Sequence, residues 1–221
     1  MSRSSRLAAL LAAAAVMLMI GAVGAFADFP NPPRDTPAMM KGTQTAVLAG
    51  GCFWGMEGIF ERLKGVVSAT SGYSGGNKDT ASYEMVSTGT TGHAESVQIL
   101  YDPTKISFGT ILKVFFTVAH DPTEFNYQGP DHGTQYRSVI FYANDGQKQV
   151  AEDYIKELDA AKAYPQKIVT QVVPLKAFYP AEDYHQHFLD RNPDYPYIAY
   201  WDMPKIANLK HTYPDLVVEG M

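Results

Sequence analysis

The chain has 221 residues and one cysteine, Cys52, set in Gly50-Gly51-Cys52-Phe53-Trp54-Gly55. A small-residue turn precedes the thiol and an apolar helical pattern follows it. Two glycines let the backbone turn sharply. A helix start brings positive partial charge and free N–H groups beside the sulfur. That environment is expected to lower the thiol pKa and create a nucleophile. With no second cysteine, no disulfide can close within the chain. The alternative is a small buried hydrophobe, the common fate of a free cysteine.

The elements that must hold this thiol follow from pattern. Thr45–Ala49 reads as a short buried strand. Phe53, Met56, Phe60 and Leu63 share one helical face, with Gly65 as the stop signal. Val66–Tyr73 is β-branched enough for a strand, and Glu95–Tyr101 alternates. Ser107 is placed to cap a helix carrying Phe108, Ile111, Leu112, Phe115 and Ala119 inward. Tyr136–Ala143 reads as a strand, Asp145 opens an amphipathic helix ending before Pro165, and Ile168–Val173 is a further strand. The order β-α-β-β-α-β, then α-β, predicts an α+β fold: a two-layer sandwich with a ferredoxin-like, split βαβ core. From Ala177 on, the chain is aromatic and Pro-rich and reads as an irregular wrap.

In such a core the spatial strand order is fourth, first, third, second, with neighbours antiparallel. Cys52 follows the end of strand one. Glu95 opens strand three and Tyr136 opens strand four at that same edge, where the long loops 74–94 and 120–135 also fall. Long loops in a compact domain are often functional. Taken singly, Glu95 fits a solvated strand end, and Tyr83 and Tyr136 fit half-buried aromatics in a chain with 14 tyrosines. His93, His120 and His132 lie near this edge but far apart in sequence, Cys52 has no partner cysteine, and His185-Gln186-His187 is not a standard ligand spacing, so no metal is expected.

The ends and the composition add limits. Arg3 and Arg6 start a run that is uncharged from Leu7 to Ala27 and closes on Ala25-Phe26-Ala27, the pattern of a cleaved export signal. A membrane anchor over residues 7–27 is the alternative. Residues 1–27 are thus expected to be a signal, 28–44 an extended proline-bearing lead-in, and 45–221 one domain of an exported, periplasmic or secreted monomer. Removing the signal takes Lys+Arg from 18 to 16 against 23 Asp+Glu, so the net charge moves from −5 to −7. An acidic chain without a basic run argues against nucleic-acid binding.

Several motifs in order resemble the A-type peptide-methionine sulfoxide reductases. They are Gly51-Cys52-Phe53-Trp54-Gly55, Gly72-Tyr73-Ser74-Gly75-Gly76, Thr91-Gly92-His93-Ala94-Glu95, Tyr101-Asp102-Pro103, the block Asp131–Ser138, and Ala181-Glu182-Asp183-Tyr184-His185-Gln186. The resemblance spans about residues 45–190. It implies reduction of methionine sulfoxide, free or in proteins, with preference for the S epimer. It implies Cys52 as nucleophile, Glu95 as proton donor to the sulfoxide oxygen, and Tyr83 and Tyr136 as hydrogen-bonding partners of that oxygen. Phe53 and Trp54 would hold the substrate methyl group, Asp131 would contact the substrate or order its loop, and Gly51, Gly55, His93 and His132 would support the site. No bound cofactor is implied.

The chain departs from the family's common pattern in recycling. Where many members carry resolving cysteines, it reads Asn192-Pro193-Asp194-Tyr195-Pro196-Tyr197, and Ser87 follows Val86 where some relatives have cysteine. A sulfenic acid on Cys52 must then be cleared by an outside thiol, a thioredoxin-like protein or glutaredoxin and glutathione. Competing readings are a thiol peroxidase, a cysteine hydrolase, and a non-enzymatic module that grips methionine-rich peptides.

Overall fold

The computed structural model describes residues 29–36 and 42–221. The chain divides into two units, Met1–Pro30 and Asn31–Met221. The expected signal, 1–27, lies outside the described residues, and every element below belongs to the second unit.

Six strands form the main sheet, in the order β7-β6-β1-β3-β2-β8. They are β1 (Gln44–Ala49), β2 (Val66–Ser74), β3 (Ala94–Tyr101), β6 (Val139–Tyr142), β7 (Gln171–Pro174) and β8 (Phe178–Pro180). Between β3 and β6 in sequence, β4 (Tyr127–Gln128) and β5 (Asp131–His132) make a separate small hairpin. The expected fourth-first-third-second order is the observed order β6-β1-β3-β2, and these neighbours pair antiparallel. The parallel pairing of β6 with β7 and the edge strand β8 extend it.

The helices are α1 (Phe53–Glu61), α2 (Tyr83–Val86), α3 (Phe108–Val114), α4 (Asp145–Ala160), α5 (Phe188–Arg191) and α6 (Met203–Thr212). Helix α1 packs on β2 and β3, and α4 on β6 and β7. Phe53, Met56, Ile59 and Phe60 of α1 are buried, each contributing about 2 kcal/mol by removing apolar surface from water. Central strand β1 is buried on both sides. Its Val47 and Ala49 join Ala94, Val139 and Phe141 in one cluster, covered by Val173, Leu175 and Phe178.

Helix α3 begins as its sequence indicates: the Ser107 hydroxyl accepts from the Thr110 N–H at 3.1 Å. The proline-bearing lead-in also contributes here, because Asp35 accepts from the Gly109 N–H at 2.8 Å. A carboxylate at a helix N-terminus is favourable.

Four boundaries differ from expectation. Tyr136 does not open a strand; it ends a tight 3-10 turn, Thr134–Tyr136, closed by its own N–H to the Gly133 carbonyl at 3.0 Å. Pairing with β6 starts later, at Val139. Residues 168–170 are not strand, because the Val169 N–H turns away to the Pro122 carbonyl. Helix α1 stops at Glu61, one turn before Gly65. The C-terminal segment is not an irregular wrap. It supplies β8, α5, a wide π-type turn at Ile198–Asp202, and the ten-residue α6. Helix α6 escaped the periodicity reading because it buries few apolar side chains, Ile206 and Leu209, and starts next to Pro204, a residue tolerated in a first turn.

Candidate active site

The register explains how the sheet edge gathers its residues. Leu48 pairs with Val97, so Glu95, two residues earlier on β3, lies just beyond the end of β1. Ala49 pairs with Val139, so Tyr136 also falls beyond that end. Cys52 occupies the N-cap position of α1 and makes no capping hydrogen bond with its side chain. The helix has no acidic residue in its first turn. Its start is instead met from 42 residues away, where Glu95 Oε2 accepts from the Phe53 N–H at 3.1 Å.

Cys52, Phe53, Trp54, Tyr83, Glu95, Asp131 and Tyr136 line one cavity of about 140 Å³. All seven were expected at the site. The eighth lining residue, Tyr197, was not. Its hydroxyl donates to the Asp131 carboxylate.

The C-terminal motif at 181–186 supports this arrangement. Glu182 accepts from the Tyr83 N–H and the Tyr73 hydroxyl, both at 2.9 Å. His185 Nδ1 accepts from the Trp54 indole N–H at 3.1 Å. Gln186 bonds both the N–H and the carbonyl of Ser71, at 3.0 Å each. Trp54 also stacks on Phe188, with ring centroids 4.0 Å apart. The motif is therefore a set of braces for β2, Tyr83 and Trp54. On the other side, the Arg137 guanidinium donates to the carbonyls of Gly92, His93 and Thr134. It ties the turn carrying Tyr136 to the segment leading into Glu95.

The histidines have other duties. His93 is buried; Nδ1 accepts from the Gly76 N–H at 3.2 Å, so Nε2 donates to the Asn77 carbonyl at 2.9 Å. It fixes the glycine-rich turn after β2. His120 bridges the Phe115 carbonyl and the Ser138 hydroxyl, and burial lowers its pKa to about 4. His132 is exposed and stacks on Tyr127, so its expected support is limited to the β4–β5 hairpin. The group of metal-capable side chains among the described residues is Glu57, Glu61 and His187, and these are not among the residues lining the cavity at Cys52.

Two glycines are required by space. Gly51 has φ +93, and a Cβ there would sit 2.7 Å from Gln128 Cβ. A Cβ at Gly55 would sit 2.2 Å from Asp202 Oδ1, because α6 enters against α1 at that point. Gly55→Ala is therefore expected to cost about 2–3 kcal/mol, a fall in Tm of roughly 5–10 °C. Thermal unfolding of Gly55→Ala beside Gly55→Ala/Asp202→Ala checks this. The double variant should recover most of the loss, and an unchanged Tm in the single variant would contradict it.

Electrostatics reverse one expectation. Burial raises the Cys52 pKa well above its ordinary value, and the carboxyl groups of Glu95, Asp202 and Asp131 push it the same way; the Trp54 N–H opposes them. The helix start does not win, because desolvation of a thiolate is larger and the Phe53 N–H is engaged by Glu95. Burial also raises the Glu95 pKa, to about 8, against the opposing Phe53 N–H. Tyr83 and Tyr136 are held as neutral phenols, chiefly by burial and then by the Glu95 charge. Near neutral pH the cavity thus presents a thiol, a carboxylic acid and two hydroxyl donors beside an aromatic wall.

The profile of the family described as "Peptide methionine sulfoxide reductase" matches residues 44–216. The chain is 61% identical over 178 residues to "Peptide methionine sulfoxide reductase MsrA 2" of Mesorhizobium japonicum, covering 80% of this chain and 91% of that one. It is 53% identical over 175 residues to the protein of the same name from Synechocystis sp., covering 79% and 82%. Among solved structures, methionine sulfoxide reductase A of Corynebacterium diphtheriae is similar with a TM-score of 0.61 and 38% identity, covering 74% of this chain and 82% of that one. Mxr1 of Saccharomyces cerevisiae in reduced form gives a TM-score of 0.64 and 36% identity, covering 73% and 90%.

Proposed function

The chain belongs to the peptide methionine sulfoxide reductase family, whose reaction is the reduction of methionine sulfoxide in protein repair, and we propose that Cys52 and Glu95 together carry that reaction here. The observation that carries the proposal is the shared cavity, in which a buried thiol and a carboxylic acid that keeps its proton to about pH 8 face the same small volume.

The sulfoxide oxygen is a poor leaving group until it is protonated. Glu95 gives its proton to that oxygen, and Tyr83 and Tyr136 donate hydrogen bonds as charge builds there. The Cys52 sulfur attacks the methionine sulfur and its own proton restores the Glu95 acid. Attack makes a transient S–S bond between Cys52 and the methionine sulfur; the protonated oxygen then passes to the cysteine sulfur, so the methionine S–O bond and the transient S–S bond break and a Cys52 S–O bond forms. The methionine sulfur gains two electrons, the cysteine sulfur loses two, and no net proton is consumed. The raised thiol pKa is consistent with this coupling: the thiolate forms as Glu95 releases its proton to substrate, not in the resting protein. The products are methionine and Cys52 sulfenic acid.

Phe53 and Trp54 supply the apolar surface for the methyl group. Asp131, held by Tyr197, faces the remainder of the substrate or orders its loop. Polar donors for the oxygen, aromatics for the methyl and a fixed attacking sulfur are three distinct points, enough to separate two configurations at sulfur. Which epimer is taken follows from the family resemblance, which implies that the S epimer is consumed and the R epimer remains. Chiral chromatography of an equal mixture checks this, and equal consumption of both would contradict it.

A thioredoxin-like protein, or glutaredoxin and glutathione, is our proposed source of the reducing thiol. The basic start, uncharged run and Ala25-Phe26-Ala27 support export as the setting.

A further inference from the structure

A second cavity, of about 360 Å³, shares Cys52, Asp131 and Tyr197 with the first. Two wide π-type turns shape it. The turn Phe115–Ala119 contributes Val118, and the turn Ile198–Asp202 contributes Trp201. Such turns often mark functional sites. Cys52 is thus reachable from two volumes, and the acid and phenols of the reduction step line the smaller one alone.

The larger cavity has a different chemistry. Its charged lining consists of the carboxyl groups of Asp121, Glu124 and Asp131 and the ammonium group of Lys205. That ammonium group is already engaged, 3.2 Å from the buried Asp202 carboxylate. His120, also in the wall, is neutral near pH 7. Burial raises the Asp131 pKa towards the neutral acid, so the negative field at the entrance comes chiefly from Asp121 and Glu124. Trp201 offers apolar surface and is partly exposed.

We infer that this second cavity admits the resetting thiol to oxidised Cys52, and that it favours low-molecular-weight thiols of neutral or positive charge over anionic ones, so that of the reductants proposed above glutathione, a net anion, is the disfavoured one. The inference rests on Cys52 as the oxidised residue. In the first step the thiol attacks Cys52–SOH; the S–O bond breaks, an S–S bond forms, and water leaves. A second thiol then breaks that mixed disulfide, restoring the Cys52 thiol and yielding the external disulfide. A separate entrance lets reset begin while methionine still fills the smaller cavity.

The test separates the two half-reactions. Methionine released in one turnover reports reduction, and loss of sulfenic acid, followed by mass, reports reset. Reset is measured with cysteamine, 2-mercaptoethanol and 3-mercaptopropionate at matched thiolate concentration. The expected order of rates is that order, spanning about tenfold at low salt and shrinking as salt screens the field. In Glu124→Lys the cysteamine-to-mercaptopropionate ratio should fall roughly fivefold, with the methionine burst unchanged. Asp121→Asn, which keeps the side-chain oxygen that caps Thr123, should move the ratio the same way by a smaller factor. Added methionine should leave the KM for thiol unaltered.

Equal reset by all three thiols would overturn the inference, as would strict competition between methionine and thiol. A change in the burst with reset unaltered would assign the cavity to residues flanking the substrate methionine and overturn it as well. Absence of any burst from the unmodified protein would refute the underlying role of Cys52 and the inference with it.

Discussion

Cys52→Ser releases no methionine from the S-sulfoxide: the expected fall is about a thousandfold or more, because a serine hydroxyl is a far weaker nucleophile than a thiolate. The fold should survive the change. Cys52 is 9% exposed, serine is of similar size, and the Cys52 side chain makes no capping bond that its loss would break. Tm is expected to move by no more than a few degrees. Methionine quantified by mass after a single turnover, with circular dichroism on the same samples, checks both halves. A normal burst from the folded variant would show that another group does the attack.

Glu95→Gln separates chemistry from architecture. The amide oxygen can still accept from the Phe53 N–H, so the start of α1 keeps its partner. The amide has no acidic proton, and the rate of methionine release should drop by roughly 10²–10⁴-fold, the usual range for a lost general acid. The variant should also alter the pH dependence in a defined direction. In the native protein the Glu95 pKa lies near 8, above its ordinary value of 4.5. A group raised on folding contributes stability that is complete below the ordinary pKa and is lost as pH rises through the folded value. The native protein should therefore lose stability between about pH 4.5 and pH 8, and its reduction rate should fall above about pH 8 as the acid ionises. Glu57, raised to about 7 by burial, adds a loss of the same sign in both proteins. Tm measured across pH 4–9 should favour Glu95→Gln progressively up to about pH 8. A variant with native rate, or with an unchanged Tm profile, would contradict the role of Glu95.

The site was legible where local pattern and topology agreed. The glycines around Cys52 and the alternation from Glu95 to Tyr101 are enough to place two groups at one sheet edge. Tyr136 reached the same edge for a different reason than expected: a tight turn carries it, held by Arg137, and not the first rung of a strand. The thiol pKa runs opposite to the local signal because a helix start is a local feature, whereas burial and the carboxyl groups of Glu95, Asp131 and Asp202 are tertiary. Tyr197 and Trp201 carry no signal in the sequence because the chain around them has prolines and aromatics without period. Their placement depends on a π-type turn and on Asp202 fitting against Gly55, contacts that span about 150 residues of sequence. The motif at 181–186 was visible as a pattern, but its purpose as a brace for Tyr83 and Trp54 needed the fold.

The central claim is that one thiol performs the reduction and cannot reset itself. Its most direct test is intact-protein mass after exposure to excess methionine S-sulfoxide without reductant, with methionine counted in parallel. The expected result is one methionine per chain and a gain of about 16 Da, for one oxygen, on the peptide bearing Cys52. Repeated turnover without added thiol, or release of methionine with Cys52 left unmodified, would contradict it.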